Sequence, residues 1–106
     1  LAAQVSMMEF QGIVVPAVQS SILTSQIGER LSQSHPFCLI WHDREDRRYF
    51  SMRSRSDGAD VGRIAASFGG GGHTHAAGFS VPLQIDGTPP ADPRLPRAVT
   101  DRRRTP

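Results

Sequence analysis

The sequence contains no lysine: the whole of its Lys+Arg count of 12 is arginine. It also has a single cysteine, Cys38, one tryptophan and one tyrosine. Each shortage excludes something. One cysteine rules out a disulfide framework within the chain, and its place in the apolar run "FCLIW" reads as a buried thiol in a reducing compartment. No apolar stretch reaches the length of a membrane span, and "LAAQVSMMEF" lacks the charged and apolar regions of a secretory signal, so no membrane partner and a cytoplasmic location are expected. The missing lysine removes the Walker phosphate loop, which needs one directly after its last glycine. It is better read as compositional bias than as repeated selection for the planar arginine fork.

Acidic residues are scarce only in one place. Up to Ile85 seven arginines face seven Asp and Glu, so the net charge of +2 comes entirely from the remainder. A neutral body gives no general electrostatic grip on a duplex, and any phosphate recognition is expected to be a local site. At 106 residues the chain is one domain at most, too small for a two-lobed enzyme with its site in the cleft. Starting at Leu1, it reads as a piece of a longer protein.

The patterning predicts a small α/β domain. "MEFQGIVVPAV" reads as a first strand ending at Pro16 or shortly after. "SSILTSQIGERLSQ" spaces Leu23, Ile27 and Leu31 as one face of a helix that ends before Pro36. "PFCLIWH", the charged "DREDRR" and "YFSMRSRS" read as strand, turn and strand. In the second of these the period of two sends Phe50 and Met52 to the core and Tyr49, Ser51, Arg53 and Arg55 to the other face. Asp60 is a good N-cap for a helix carrying Val61, Ile64, Ala65 and Phe68, and a last strand is expected from Gly78, with Pro82 pushing it to a sheet edge. The expectation is a mixed sheet of about four or five strands with two main helices over residues 1–85. The segment 86–106 is dense in proline and arginine, and its composition predicts a flexible tail.

What is abundant is glycine in one place. "FGGGGHTHAAGF" runs four glycines into His73, and four together weaken a fold unless bare backbone is required. The dinucleotide fingerprint fails, because His75 stands where Gly or Ala is expected and no strand leads into the run. A metal site on His73 and His75 lacks good completing ligands in His35, His42 and Cys38. What remains is an anion cradle made by the amides of Gly69 to Gly72, with His73 at its rim. The alternative is a loop whose glycines only let it pass tightly over the sheet.

At "SMRSRSDGADVGRIAASFGGGGHTHAAGF" the chain resembles the DHH-associated domain, the carboxy-terminal lobe of DHH phosphoesterases such as RecJ exonucleases, nanoRNase-type oligoribonucleases and cyclic-dinucleotide phosphodiesterases. The likeness covers Ser51 to Phe79, with the serine-hydrophobe-arginine-serine strand and the glycine loop ending in histidine in order. "TSQIGERL" is similar to the family's Ser-Glu-hydrophobe-Gly helix, with Gln26 where glutamate is commoner. Alanyl-tRNA synthetases carry a related lobe whose loop usually ends in arginine, so His73 favours the phosphoesterase branch. The resemblance implies that Ser51, Arg53 and Ser54 line a substrate groove. It likewise implies that Gly70, Gly71, Gly72 and His73 receive a phosphate or base edge of a nucleotide, oligonucleotide or single-stranded nucleic acid. It also implies a separate catalytic lobe holding two metal ions, usually manganese. The chain has no Asp-His-His triplet and its one His-Asp pair, His42-Asp43, lies beside a charged turn, so no catalytic or metal-binding residue is assigned here and the isolated chain is expected to be inactive. A stand-alone binding module and a structural or dimerisation unit are the rival readings. If the two signatures serve one site, Arg53 and His73 must be neighbours in space.

Overall fold

A computed structural model describes residues 5–21 and 25–99. Strands β1 (Val5–Phe10) and β2 (Ile13–Gln19) form an antiparallel hairpin closed by the pair Phe10 and Ile13. Gln11 and Gly12 make its two-residue turn, both with positive φ, of 57° and 79°. That left-handed pair matches the twist of the strands, which is why the stretch from Met8 to Val18 breaks into two strands instead of running on as one. Helix α1 (Ser25–Leu31) then carries the chain to β3 (Cys38–Arg44), which lies parallel to β2. Leu23, expected on the apolar face of this helix, lies outside the described residues, as do the side chains of Gln26 and Ile27.

From β3 the chain reverses through Glu45 and Asp46 into β4 (Arg47–Arg53), antiparallel to it. Helix α2 (Val61–Ala66) follows, opened by Asp60, whose carboxylate accepts from the Arg63 amide at 3.0 Å. After it come β5 (Gly71–His73), β6 (Ala76–Pro82) and the short β7 (Arg97–Ala98). The seven-stranded sheet has the order β5-β6-β4-β3-β2-β1-β7 and is mixed, its one parallel pair being the α1 crossover. The α/β class and two helices are as expected, but the strands exceed the expected four or five. One extra comes from the split hairpin. The others, β5 and β7, hold three and two residues and present no periodic apolar pattern to read.

The helices lie on opposite faces. Phe50, Met52, Ala77 and Phe79 point to the α2 side, where Val61 and Ala65 close a core that also holds Phe10, Val15, Ala17, Phe37 and Leu39. Phe79 is its hub, with ring centroids 4.4 Å from Phe68, 5.0 Å from Phe50 and 6.0 Å from Phe10. On the other face α1 covers Cys38, whose thiol reaches the Gly28 carbonyl at 3.6 Å.

The segment from Asp86 does not behave as its composition suggests. Gln84 and Thr88 form a turn through the Gln84 amide and the Thr88 carbonyl, Leu95 is buried in the core and the Arg94 guanidinium sits 4.9 Å from the Phe68 ring. Arg97 then pairs with Glu9 at 3.0 Å as β7 covers the β1 edge. One well-placed leucine and an unpartnered sheet edge outweigh a polar, proline-rich composition, so the body extends at least to Val99. Leu95→Ala is therefore expected to lower stability by about 2–4 kcal/mol. Removing everything after Ile85 is expected to lower the melting temperature by several degrees or more, measured by thermal circular dichroism.

Candidate functional site

Register aligns the residues of interest. Arg53 pairs with Ala76, and Ala76 with His73, so the three stand in one row across β4, β6 and β5. The next row on the same face is Ser51, Gly78 and Gly71, and the one after it His42, Tyr49 and Ser80. Arg44, Arg47 and Pro82 complete the series. Directly opposed residues point to the same face, and two strand spacings put the Cα atoms of Arg53 and His73 about 10 Å apart. These rows hold Arg44, Arg47, Arg53, His42 and His73 but no carboxylate. Asp43 points to the other face, where Arg48 grips it with two bonds of 2.7 and 3.0 Å and holds its carboxyl below the usual carboxylate range.

Arg53 is aimed by α1. A Cβ on Gly28 would stand 2.5 Å from the Arg53 Cγ and 2.9 Å from its Cβ, so the arginine stem crosses the helix where it has no side chain. A glycine inside a helix costs about 0.5–1 kcal/mol against alanine, and here the cost makes room for this passage. The Arg53 guanidinium donates to the Met52 carbonyl at 3.0 Å, which leaves its other N–H groups without a partner among the described residues. Sequence reasoning reached Gly28 only as part of a family-like helix. A glycine at the centre of a seven-residue helix was the physical signal.

The glycine run divides by role. Gly69 has φ of 81° and its amide meets the Ala66 carbonyl, while the Gly70 amide bonds to the Ala65 carbonyl at 2.9 Å. These two amides finish α2, which removes them from the anion cradle expected of Gly69 to Gly72. A Cβ on Gly70 would come within 2.2 Å of the Gly78 carbonyl, and one on Gly72 within 2.6 Å of the Ala76 carbonyl and the Ala77 Cα. Both must be bare for the chain to lie against β6. Gly71 differs: a Cβ there meets nothing within 4 Å, and it would project beside Ser51 and Gly78. As the edge strand, β5 pairs alternate amides with β6 and turns the others outward.

The remaining residues hold this arrangement or extend it. The Ser54 hydroxyl donates to the Ala59 carbonyl at 2.7 Å and stands 2.9 Å from His75 Nδ1, so the ring nitrogen donates to it. Ser54 thus ties the loop before α2 to the β5–β6 turn, with its hydroxyl already occupied. The first turn of α2 braces the same turn, since the Val61 amide bonds to the Thr74 carbonyl at 2.8 Å and Gly62 packs on the His73 carbonyl. Where β5 stops short along β6, a pocket of about 420 Å³ opens, lined by Tyr49, Ser51, Gly69, Gly70, Gly78 and Ser80 among others. Among the described residues no three His, Cys, Asp or Glu side chains gather as a metal ion would need.

No family model matches the chain. It is similar to an uncharacterized protein of Acanthamoeba polyphaga mimivirus, 41% identical over an alignment of 61 residues, with 53% of this chain and 14% of that protein covered. The match therefore spans well under two thirds of the viral protein's length.

Sterics separate the glycines experimentally. Gly71→Ala is expected to melt at or a few degrees above the native chain, whereas Gly70→Ala and Gly72→Ala should be destabilised by about 1 kcal/mol or more, as overpacking against backbone demands. Burial pushes the Cys38 thiol up to about 11, against a smaller opposing pull from Arg53. The folded protein should resist iodoacetamide at pH 8 and react once denatured. Because the unfolded thiol ionises first, stability should be full below pH 9 and fall as the pH rises towards 11.

Proposed function

We propose that this domain binds the phosphate-bearing end of a nucleotide or short single-stranded nucleic acid and presents it to a catalytic lobe outside the chain. In this reading the lobe is of the DHH phosphoesterase type, its manganese ions supply the activated water, and the chain described here binds and orients. One observation carries the proposal: Arg53 and His73 stand in one row of a stretch of sheet whose β3–β6 rows hold no carboxylate, beside a Gly71 that nothing among the described residues requires to be glycine. A bare position with open space in front of it suits close approach by a ligand, and the flanking arginine suits an anion. Arg53 supplies a charge-assisted contact, His73 a side-chain donor, and the outward amides of β5 neutral ones. Ser51 lines the groove between them and Ser54 holds its wall. The neutral charge of the body fits a local site for one or two phosphates better than a duplex track.

A second reading, assembly with another copy, has the exposed Val5, Met7 and Val14 of the β1–β2 hairpin in its favour. Sedimentation of the isolated chain separates the two, since a monomer removes that reading.

NMR titration with adenosine monophosphate and with a 5′-phosphorylated dinucleotide tests the binding site. Arg53→Ala should lose about one to two powers of ten in affinity while remaining folded, the loss typical of a charged hydrogen-bond partner at about 1.5–3 kcal/mol. Gly71→Leu, which fills the open space, should weaken binding without lowering the melting temperature. Folded Arg53→Ala and His73→Ala that bind as tightly as the native chain would remove the site. Incubated with manganese and a labelled dinucleotide, the isolated chain should leave the phosphodiester intact. Turnover that rises with purified protein would relocate the chemistry to this domain.

A further inference from the structure

The pocket beside Tyr49 reaches from the row of Ser51 and Gly78 to the row of Tyr49 and Ser80, and the proposed phosphate contacts leave its Tyr49 end unused. Tyr49 is the only tyrosine and is 37% exposed. Its ring is held parallel to that of His42, with centroids 5.3 Å apart and planes inclined by 13°. These two rings stand side by side on β3 and β4. The third member of their row is Ser80 on β6, and its neighbour on the same strand and face is Gly78. Two rings therefore begin a stack, and the strand that would carry the third offers only a hydroxymethyl group and a hydrogen.

The slot is bounded as well as open. Gly69, Gly70 and the Phe68 and Phe79 rings line it, and Arg47 joins the lining with bonds of 3.0 Å to the Ser80 hydroxyl and 3.2 Å to the Ser80 carbonyl. Ser51 and Ser80 add hydroxyls to the lining. A planar ring with polar edges fits such a slot, continuing the His42–Tyr49 stack and meeting hydroxyl and guanidinium donors at its rim.

We infer that this slot is a base-stacking subsite for the nucleotide next to the one whose phosphate meets Arg53 and His73. The inference rests on the proposed nucleotide-binding function and adds a preferred length to its substrate. Tyr49 and Arg53 stand four positions apart on β4, about 13 Å between their Cα atoms. A dinucleotide reaches from one to the other, with a base on the Tyr49 ring and its neighbour's phosphate at Arg53. The slot has no base-specific donor pattern, and stacking accepts any base because every base has a π-face.

The experiment compares three ligands: 5′-phosphorylated diadenylate, the same molecule with its second base removed, and adenosine monophosphate. Affinities are read by calorimetry for the native chain, Tyr49→Ala, Tyr49→Phe and Arg53→Ala. Tyr49→Ala should bind the diadenylate about tenfold more weakly, the order expected for loss of one base–aromatic stack. It should bind the abasic ligand as the native chain does, and Tyr49→Phe should match the native chain with every ligand. Ser80→Leu, which fills the slot while leaving Tyr49 in place, should reproduce the loss. If Arg53→Ala weakens all three ligands while Tyr49→Ala and Ser80→Leu leave diadenylate binding unchanged, the stacking subsite is wrong and the phosphate site stands. If no variant differs from the native chain, or the native chain binds none of the ligands, both readings fall.

Discussion

The close approach of the Gly70–Gly72 backbone to β6 is the constraint on which the site depends. With no Cβ at Gly70 or Gly72, the chain leaving α2 lies directly against Gly78, Phe79 and Ala77. That contact seats Phe79 among Phe68, Phe50 and Phe10 on one side of the sheet. On the other side it adds β5 to the sheet in the register that aligns His73 with Ala76 and Arg53. Core and site thus share one strand, and a side chain forced into the run would disturb both. The entropy that glycine loses on folding is offset by the aromatic burial it permits.

Strand β4 shows how one stretch serves two environments. Phe50 and Met52 are buried under α2, while Tyr49, Ser51 and Arg53 alternate with them on the opposite face. Strand β6 repeats the division with Ala77, Phe79 and Val81 inward, and Ala76, Gly78 and Ser80 outward. The outward residues of β6 from Ala76 to Ser80 are all small, whereas those of β4 include the long Arg47, Tyr49 and Arg53. A trough over β6 with a wall along β4 follows directly from that difference in side-chain volume. Its electrostatic character follows from what is absent, since no Asp or Glu falls on these rows to neutralise Arg47 and Arg53.

Local signals in the sequence were legible where a single interaction decides the structure. Asp60 caps α2 because its short carboxylate reaches an unpaired amide, and the alternation of β4 follows from pleat geometry alone. Signals failed where tertiary contacts decide. Gln11 adopts a positive φ that glutamine rarely takes, and only the pairing of β1 with β2 holds it there. Leu95 looks like an isolated leucine among prolines until the core is there to receive it. The pairing partner of Arg53 could be read from neither strand, because register between distant segments is set by the whole sheet. The same holds for the slot beside Tyr49, which depends on Ser80 lying across from it, 31 positions along the chain.

Glycine carries most of the functional information here, and the information is in the exceptions. Gly12 and Gly69 are accounted for by positive φ, and Gly28, Gly62, Gly70, Gly72 and Gly78 by atoms that a side chain would strike. Of these, Gly28 makes room for a side chain on the proposed site, while Gly70, Gly72 and Gly78 make room for main chain. Gly71 belongs to neither group. Its φ lies outside the left-handed region and the space before it is open. Folding alone would tolerate alanine there and would gain from its smaller loss of backbone entropy. A glycine that costs stability and relieves no clash among the described residues fits the close approach of a ligand proposed above. That position lies in the same row as Ser51 and next to the row of Arg53 and His73, so the demand for bare backbone and the supply of positive charge fall on one surface.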